Sequence, residues 1–356
     1  MTKRIRVLVV DDSAFMRTAV ARTLCTDERI EVVGQARDGR DGLAQAKALG
    51  PDVITMDFNM PEMNGAEAVR AILAERPIPV VMLSAHTIAG AKETVEALSA
   101  GAVDFVTKPS GEVSADLSGV RDELIRKVVA ATRSRPRSMA PPPSPGRIER
   151  AAPARLSLPD EAPRERISFA SAVLDPAVII GISTGGPAAL EQVIPRLPAD
   201  LRVGILVVQH MPAQFTAALA ERLDAISPVA VREARPSERL VSGVVLVAPG
   251  DRHVVVERNG MLKLTEGPPV NGCRPSADVT MQSAAQVYGH KLTALVMTGM
   301  GRDGALGAAA VRAAGGKVLA QDRETSVVYG MPRAVAEMGV VDEVLPLDGI
   351  AARIAR

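Results

Sequence analysis

The sequence predicts an α/β protein built from two doubly wound parallel-sheet domains. Three observations carry that expectation. Apolar runs of strand length alternate with helix-periodic segments in both halves, a polar stretch interrupts the alternation once near the middle, and 356 residues suffice for about two ordinary domains.

In the first half the strand-like runs are "IRVLVV", "EVVGQA", "DVITMD", "PVVMLSA" and "DFVTK", with helices expected to begin near Ser13, Asp41, Asn64, Lys92 and Leu117. Runs that are apolar throughout, not alternating, describe strands covered on both faces. From Arg133 to Ala170 the chain turns rich in Pro, Ser and Arg, with eight arginines and few large apolar residues. Such a stretch cannot bury a core, so it is expected to be a solvated linker stiffened by proline, although its arginines could also engage an acidic partner. Beyond it "AVIIGIS", "VGILVVQ", "TALVMTG" and "GKVLA" resume the alternation. Within the insertion "GVVLVAPGDRHVVVERNGMLKLTE", Asn259-Gly260 predicts a type I′ hairpin. The expected division is 1–132, a linker over 133–172, and 173–356.

Composition narrows the function classes. Lys and Arg number 42 against 41 acids, a net charge of +1, so no global field draws the chain to nucleic acid or an anionic membrane. No basic recognition helix is visible, which argues against a DNA-binding output. Cys25 and Cys273 are far apart and read as buried or idle thiols in a reducing compartment. "MTKRIRVLVVDD" holds a four-residue apolar run, neither signal peptide nor anchor, so a cytoplasmic location without membrane insertion is expected.

Asp11 and Asp12 end the first strand, Asp57 the third and Ser84 the fourth, while Lys108 follows the fifth. A doubly wound sheet brings these positions to one edge. Three carboxylates held together repel unless a hard cation neutralises them, and an oxygen-rich site of this kind suits Mg²⁺. With charge drawn from a phosphoryl donor by the cation and Lys108, an aspartate can attack phosphorus and Ser84 can bind the new phosphate. "VVDDSAFMR", "DVITMDFNMPEMNG", "VVMLSAHT" and "AVDFVTKP" together resemble the receiver domain of two-component response regulators. The resemblance implies a flavodoxin-like fold and phosphate transfer to Asp57 from a histidine kinase. It further implies Mg²⁺ on Asp11, Asp12, Asp57 and the Asn59 backbone carbonyl, and a switch made by Ser84 and Phe105.

The second half opens with "VIIGISTGGP", a strand that turns into a helix at Ser183. The string fits G-x-S-x-G, which exposes a nucleophile and aims backbone N–H groups at its substrate. A dinucleotide loop is disfavoured, because Ser183 stands where G-x-G-x-x-G needs glycine and no acid ends the next strand. A serine nucleophile needs a base and an acid to orient it. His210 in "VVQHMP" and Asp303 in "TGMGRDG" also stand at strand ends, whereas a rival set would be Ser183, Asp278 and His290. The order Ser, His, Asp departs from that of ordinary α/β-hydrolases.

"GISTGGP", "VVQHMP", "VAPGDRH", "CRPSADV", "TGMGRDG" and "VVYGMP" closely resemble the chemotaxis protein-glutamate methylesterases, the CheB family. That resemblance implies a Rossmann-like esterase domain with nucleophile Ser183, base His210, orienting acid Asp303 and the Met300 backbone N–H as an oxyanion donor, with no metal there. Implied substrates are γ-glutamyl methyl esters of methyl-accepting chemotaxis proteins, and implied further chemistry is deamidation of receptor glutamines. Ile182 stands where a smaller residue is expected. A receiver joined to an esterase suggests that the unphosphorylated receiver covers the active site. The alternative is an adaptor that has lost activity.

Overall fold

The structure, a computed structural model, describes residues 3–85, 87–108, 119–134 and 174–356. Apart from Arg133 and Ser134, the expected linker lies outside the described residues, as does His86.

The first domain runs β1 (Ile5–Val10), α1 (Ala14–Leu24), β2 (Ile30–Ala36), α2 (Gly39–Leu49), β3 (Val53–Asp57), α3 (Gly65–Glu75), β4 (Val80–Ser84), α4 (Ile88–Ser99), β5 (Asp104–Thr107) and α5 (Arg121–Ala131). Its five strands are all parallel in the order β2-β1-β3-β4-β5. The order reverses between β1 and β3, and a ligand crevice opens where their carboxyl ends part. Side-chain caps set the helix starts: Ser13, Asp38, Asn64 and Thr87 each accept a first-turn N–H. Thr87 therefore starts α4 ahead of the expected Lys92, and Asp38 starts α2 ahead of Asp41.

The second domain runs β6 (Ala177–Ile182), α6 (Gly186–Val193), β7 (Gly204–Gln209), α7 (Ala213–Ile226), β8 (Ala230–Glu233), β9 (Val244–Val247), β10 (His253–Val256), β11 (Leu262–Thr265), α8 (Ala277–Tyr288), β12 (Leu292–Val296), α9 (Ala305–Ala313), β13 (Lys317–Gln321), α10 (Met331–Glu337), β14 (Glu343–Leu345) and α11 (Leu347–Ile354). Seven parallel strands follow the order β14-β13-β12-β6-β7-β9-β8, and β10-β11 form a separate antiparallel pair. "VVLV" of the expected insertion is thus β9 of the main sheet, and only the later part is hairpin.

The hairpin turn differs from the expected type. Gly260 N–H closes on the Glu257 carbonyl at 2.7 Å, Gly260 takes φ +79°, and Asn259 stays outside the left-handed region, where both central residues of a type I′ turn must sit. The Asn259 side chain instead accepts from Met261 N at 2.8 Å. Type I′ signs appear at Asn271-Gly272, with φ +53° and +74° between Val270 and Cys273, which exchange N–H···O bonds of 3.0 and 2.9 Å.

The domains are packed together. The buried apolar cluster on one face of the first domain's sheet continues into the residues of α6 and α7. At the seam the rings of Phe105 and Phe215 stand 4.4 Å apart between centroids. No helix among the described residues is long and apolar enough to cross a membrane.

Candidate active site and phosphorylation site

In the second sheet the order reverses at β6, between β12 and β7. Ser183 follows β6 directly and His210 follows β7. Their preceding residues, Ile182 and Gln209, are register partners, and His210 N–H bonds the Ile182 carbonyl at 3.1 Å. The sheet itself therefore sets serine beside histidine. From the other neighbour, β12, the chain passes under Ser183, whose N–H bonds the Thr298 carbonyl at 3.0 Å, and reaches Asp303.

Asp303 Oδ2 and His210 Nε2 are 2.8 Å apart. The carboxylate is fixed from all sides, accepting from Ser276 Oγ at 2.6 Å, Ala277 N at 2.6 Å, Asp278 N at 3.3 Å and Asn271 Nδ2 at 3.0 Å. Those N–H groups open α8, so the Asp303 carboxylate sits on the positive end of that helix, while α9 is capped by Gly304. Burial works to raise its pKa, but the bonds from His210, Ser276 and Asn271 prevail and hold it below the usual carboxylate range. For His210 burial opposes the charge, while the Asp303 bond and the neighbouring Cys273 outweigh it and raise the imidazole. The His210 Nδ1 atom is buried and makes no hydrogen bond among the described residues.

Gln209 locks the arrangement by donating to the Ser183 carbonyl at 3.2 Å and the His210 carbonyl at 3.3 Å. Gly186 permits this, because a Cβ there would lie 2.0 Å from Gln209 Oε1. Ile182 is accommodated, fully buried, beside the same glycine. The Met300 N–H has no acceptor among the described residues, and Met300 lines one cavity with Ser183 and His210. The rival trio is not brought together. Asp278 begins α8 and bonds Gly307 N at 2.6 Å, whereas exposed His290 lies beyond its far end, a separation of roughly 18 Å along the helix.

The first domain forms the other wall of this cavity, which holds about 570 Å³. Thr184 Oγ donates to Asp104 Oδ2 at 2.5 Å, and Gly185 N–H donates to the Val103 carbonyl at 3.0 Å. From α4, Ser99 donates to Glu191 at 2.5 Å and Lys92 pairs with Glu221 at 3.0 Å.

At the receiver crevice, oxygens of Asp11, Asp12 and Asp57 all lie within 4.8 Å of one another, a set fit for a metal ion. Lys108 Nζ reaches Asp11 at 3.0 Å and Asp57 at 2.8 Å. Burial first, with the Asp11 charge adding, pushes Asp57 up to about 6 against the pull of Lys108. Burial and the neighbouring carboxylate thus disfavour ionisation of Asp57, a condition a divalent cation would relieve. Asn59 is exposed and its amide donates to Glu93 at 2.9 Å. Ser84 is turned to α4: its hydroxyl donates to the Gly90 carbonyl at 3.2 Å and accepts from Thr94 at 2.5 Å. Phe105 is buried, with Lys127 Nζ 5.0 Å from its ring centre.

Sequence reading missed Thr184, Asp104, Asn271, Ser276 and Gln209. Ser276 carried a signal as an N-cap ahead of α8; the others depend on contacts between distant segments. Both cysteines are free; Cys25 is exposed, and Cys273 is partly buried near His210.

Comparison with known proteins agrees with this architecture. Residues 178–354 match the CheB methylesterase family model and residues 7–115 the response regulator receiver domain. A protein-glutamate methylesterase/protein-glutamine glutaminase of Symbiobacterium thermophilum is 50% identical over 99% of this chain and 96% of its own. One of Geobacillus kaustophilus is 46% identical over 99% of both. The crystal structure of the Thermotoga maritima CheB methylesterase catalytic domain is 44% identical, with a TM-score of 0.50, over 51% of this chain and 98% of that one. The chain belongs to the CheB family, in which a receiver domain is joined to a methylesterase domain.

Proposed function

We propose that the protein hydrolyses glutamate γ-methyl esters on methyl-accepting chemotaxis proteins, and deamidates their glutamines, through Ser183, His210 and Asp303. The observation that carries this reading is the 2.8 Å pair of His210 and Asp303 at the ends of strands flanking Ser183. His210 takes the Ser183 hydroxyl proton as the oxygen attacks the ester carbonyl carbon, and Asp303 orients the imidazole and offsets its charge. The Met300 N–H holds the oxyanion, joined by the Thr184 N–H, which also lacks an acceptor among the described residues. Collapse breaks the C–O bond, His210 returns the proton, and methanol leaves. Water then cleaves the acyl-enzyme by the same route. Methanol release from methylated receptor membranes tests this, and Ser183→Ala is expected to abolish it.

The receiver serves as the control element, over residues 1–132, with 133–172 tethering it to the catalytic domain, 173–356. Asp57 is the phosphate acceptor for a histidine kinase. Asp11, Asp12, Asp57 and the Asn59 carbonyl would hold Mg²⁺, which when bound supplies charge neutralisation for the phosphoryl oxygens. Lys108 stands ready to bind a phosphate oxygen. Ser84, drawn to that phosphate, would let go of Gly90 and Thr94 in α4, the helix that packs on the catalytic domain. In the docked state the Val103 carbonyl occupies the Gly185 N–H beside the nucleophile, where a substrate would have to enter. A phosphodonor with Mg²⁺ should therefore speed hydrolysis by roughly 5- to 150-fold, the range of ordinary coupling energies. Asp57→Ala, or chelation of the cation, should leave the basal rate and remove the response.

A further inference from the structure

We propose that the arginine-lined cleft between the two domains, on the α5 side, binds a compact polyphosphate anion that bridges the domains and holds the receiver in place. The cleft holds about 870 Å³, within the size of small-molecule sites, roughly 300–1,000 Å³. The receiver contributes Arg29 and, from α5 and its end, Arg121, Arg126 and Arg133; the catalytic domain contributes Arg323 and Arg333. Against these six stand, among the described residues, two lining acids, Asp27 and Asp122, an excess of four positive charges. Both acids are already engaged, Asp27 by Arg29 at 2.7 Å and Asp122 by Arg121 at 3.0 Å. Arg126, Arg133 and Arg323 are exposed and make no ion pair among the described residues.

The whole chain carries a net charge of only +1, so this concentration is local. Residues 135–173 are themselves net basic in sequence, with seven arginines and four acids. Like charges gathered at a seam between domains repel and weaken docking unless an anion lies among them. A planar guanidinium binds a phosphate through two parallel N–H···O bonds, and three unpaired guanidiniums, flanked by three that already hold a carboxylate, match a ligand with several phosphate charges on adjacent groups. An acidic peptide spreads one charge per residue along about 3.3 Å of extended chain and meets that density poorly.

Only the docked arrangement presents both sets of arginines, so a bridging anion stabilises docking, and by reciprocity any change that loosens docking weakens the anion's binding. The effect on hydrolysis rests on the function proposed above; binding of the anion does not.

Inorganic tripolyphosphate serves as the probe, titrated into the full chain by calorimetry at constant ionic strength, with a glutamate oligopeptide of matched charge for comparison. One saturable site is expected. Arg133→Gln and Arg323→Gln, both on the surface, should each weaken it about tenfold, as loss of a charge-assisted bond requires. Tripolyphosphate should also lower ester hydrolysis by the full chain, and less so in Arg323→Gln. Absence of binding, equal binding of the oligopeptide, or unchanged affinity in both variants overturns the anion site; binding without any effect on hydrolysis by an active enzyme overturns the bridging role. If the full chain binds tripolyphosphate and the variants weaken it, while the protein shows no esterase activity, the inference on binding stands and the proposed function falls.

Discussion

Thr184, next to Ser183 in the chain, gives its hydroxyl hydrogen to Asp104 of the receiver at 2.5 Å. The same aspartate accepts Lys127 Nζ at 3.0 Å, so the bond joins the edge of the Ser183 loop to the receiver's own core. A hydrogen bond to a charged group is worth about 1.5–3 kcal/mol. Asp104→Ala should shift the domains toward separation and raise basal ester hydrolysis about tenfold. Because Lys127 keeps Glu123 at 2.8 Å, the receiver should stay folded, which thermal unfolding would verify. An unchanged basal rate in a folded variant would show that this contact does not restrain the enzyme.

Asp303 and His290 separate the two ways of assembling a triad. Asp303→Asn keeps the shape of the side chain and removes the charge that fixes the imidazole, a change worth as much as about 10⁴ in kcat where a triad operates. His210→Ala should be comparably inactive, and His290→Ala should retain the parental rate in a methanol-release assay. Loss of activity in the last variant alone would move the base to the other end of α8.

Much of this was legible before any coordinates. The doubly wound sheets follow from apolar runs such as "VIIGI" and "ILVVQ", and where the two strands are parallel neighbours, Ser183 and His210 come to adjacent strand ends, the residues before them being register partners. Asp303 was legible as a strand-end acid. Its role as the cap of α8 was not, because that helix lies 26 residues away in sequence, from Ala277, and only tertiary packing brings its N–H groups to the carboxylate. Ser84 shows the same limit from the other direction: the chain places it at the phosphate crevice, but Thr94 and Gly90, one helical turn apart on α4, turn its hydroxyl away.

Gly186 and Gln209 give a test of how tightly the strand ends are held. A methyl group at Gly186 would come within 2.0 Å of Gln209 Oε1, and Gln209 supports both Ser183 and His210 through their carbonyls. Gly186→Ala must push the amide aside, and misplacement of reacting groups by about 1 Å can cost 10²-fold. The expected result is a fall of that order in kcat with little change in KM. Gln209→Ala in the same background should then add little, because the shared contact is already gone.

In the proposed mechanism the pair of His210 and Asp303 sets the pH dependence. Burial disfavours the imidazolium, but Asp303 at 2.8 Å and the neighbouring Cys273 raise its pKa to about 9. A general base must be unprotonated to accept the serine proton, so below that value only a minor fraction of the docked enzyme is competent. Basal kcat/KM should climb with pH by up to about tenfold per unit through the neutral range and level off above about 9. The converse holds for stability: a histidine pKa raised on folding adds stability that is complete below the unfolded value of about 6.5 and is lost as pH passes the folded value. Activity and thermal stability should therefore move in opposite directions between about pH 6.5 and 9. In Asp303→Asn the largest raising influence is removed, and the stability change across that window should shrink. Parallel rise of activity and stability in the parent would mean that the His210 imidazole is already neutral at pH 7.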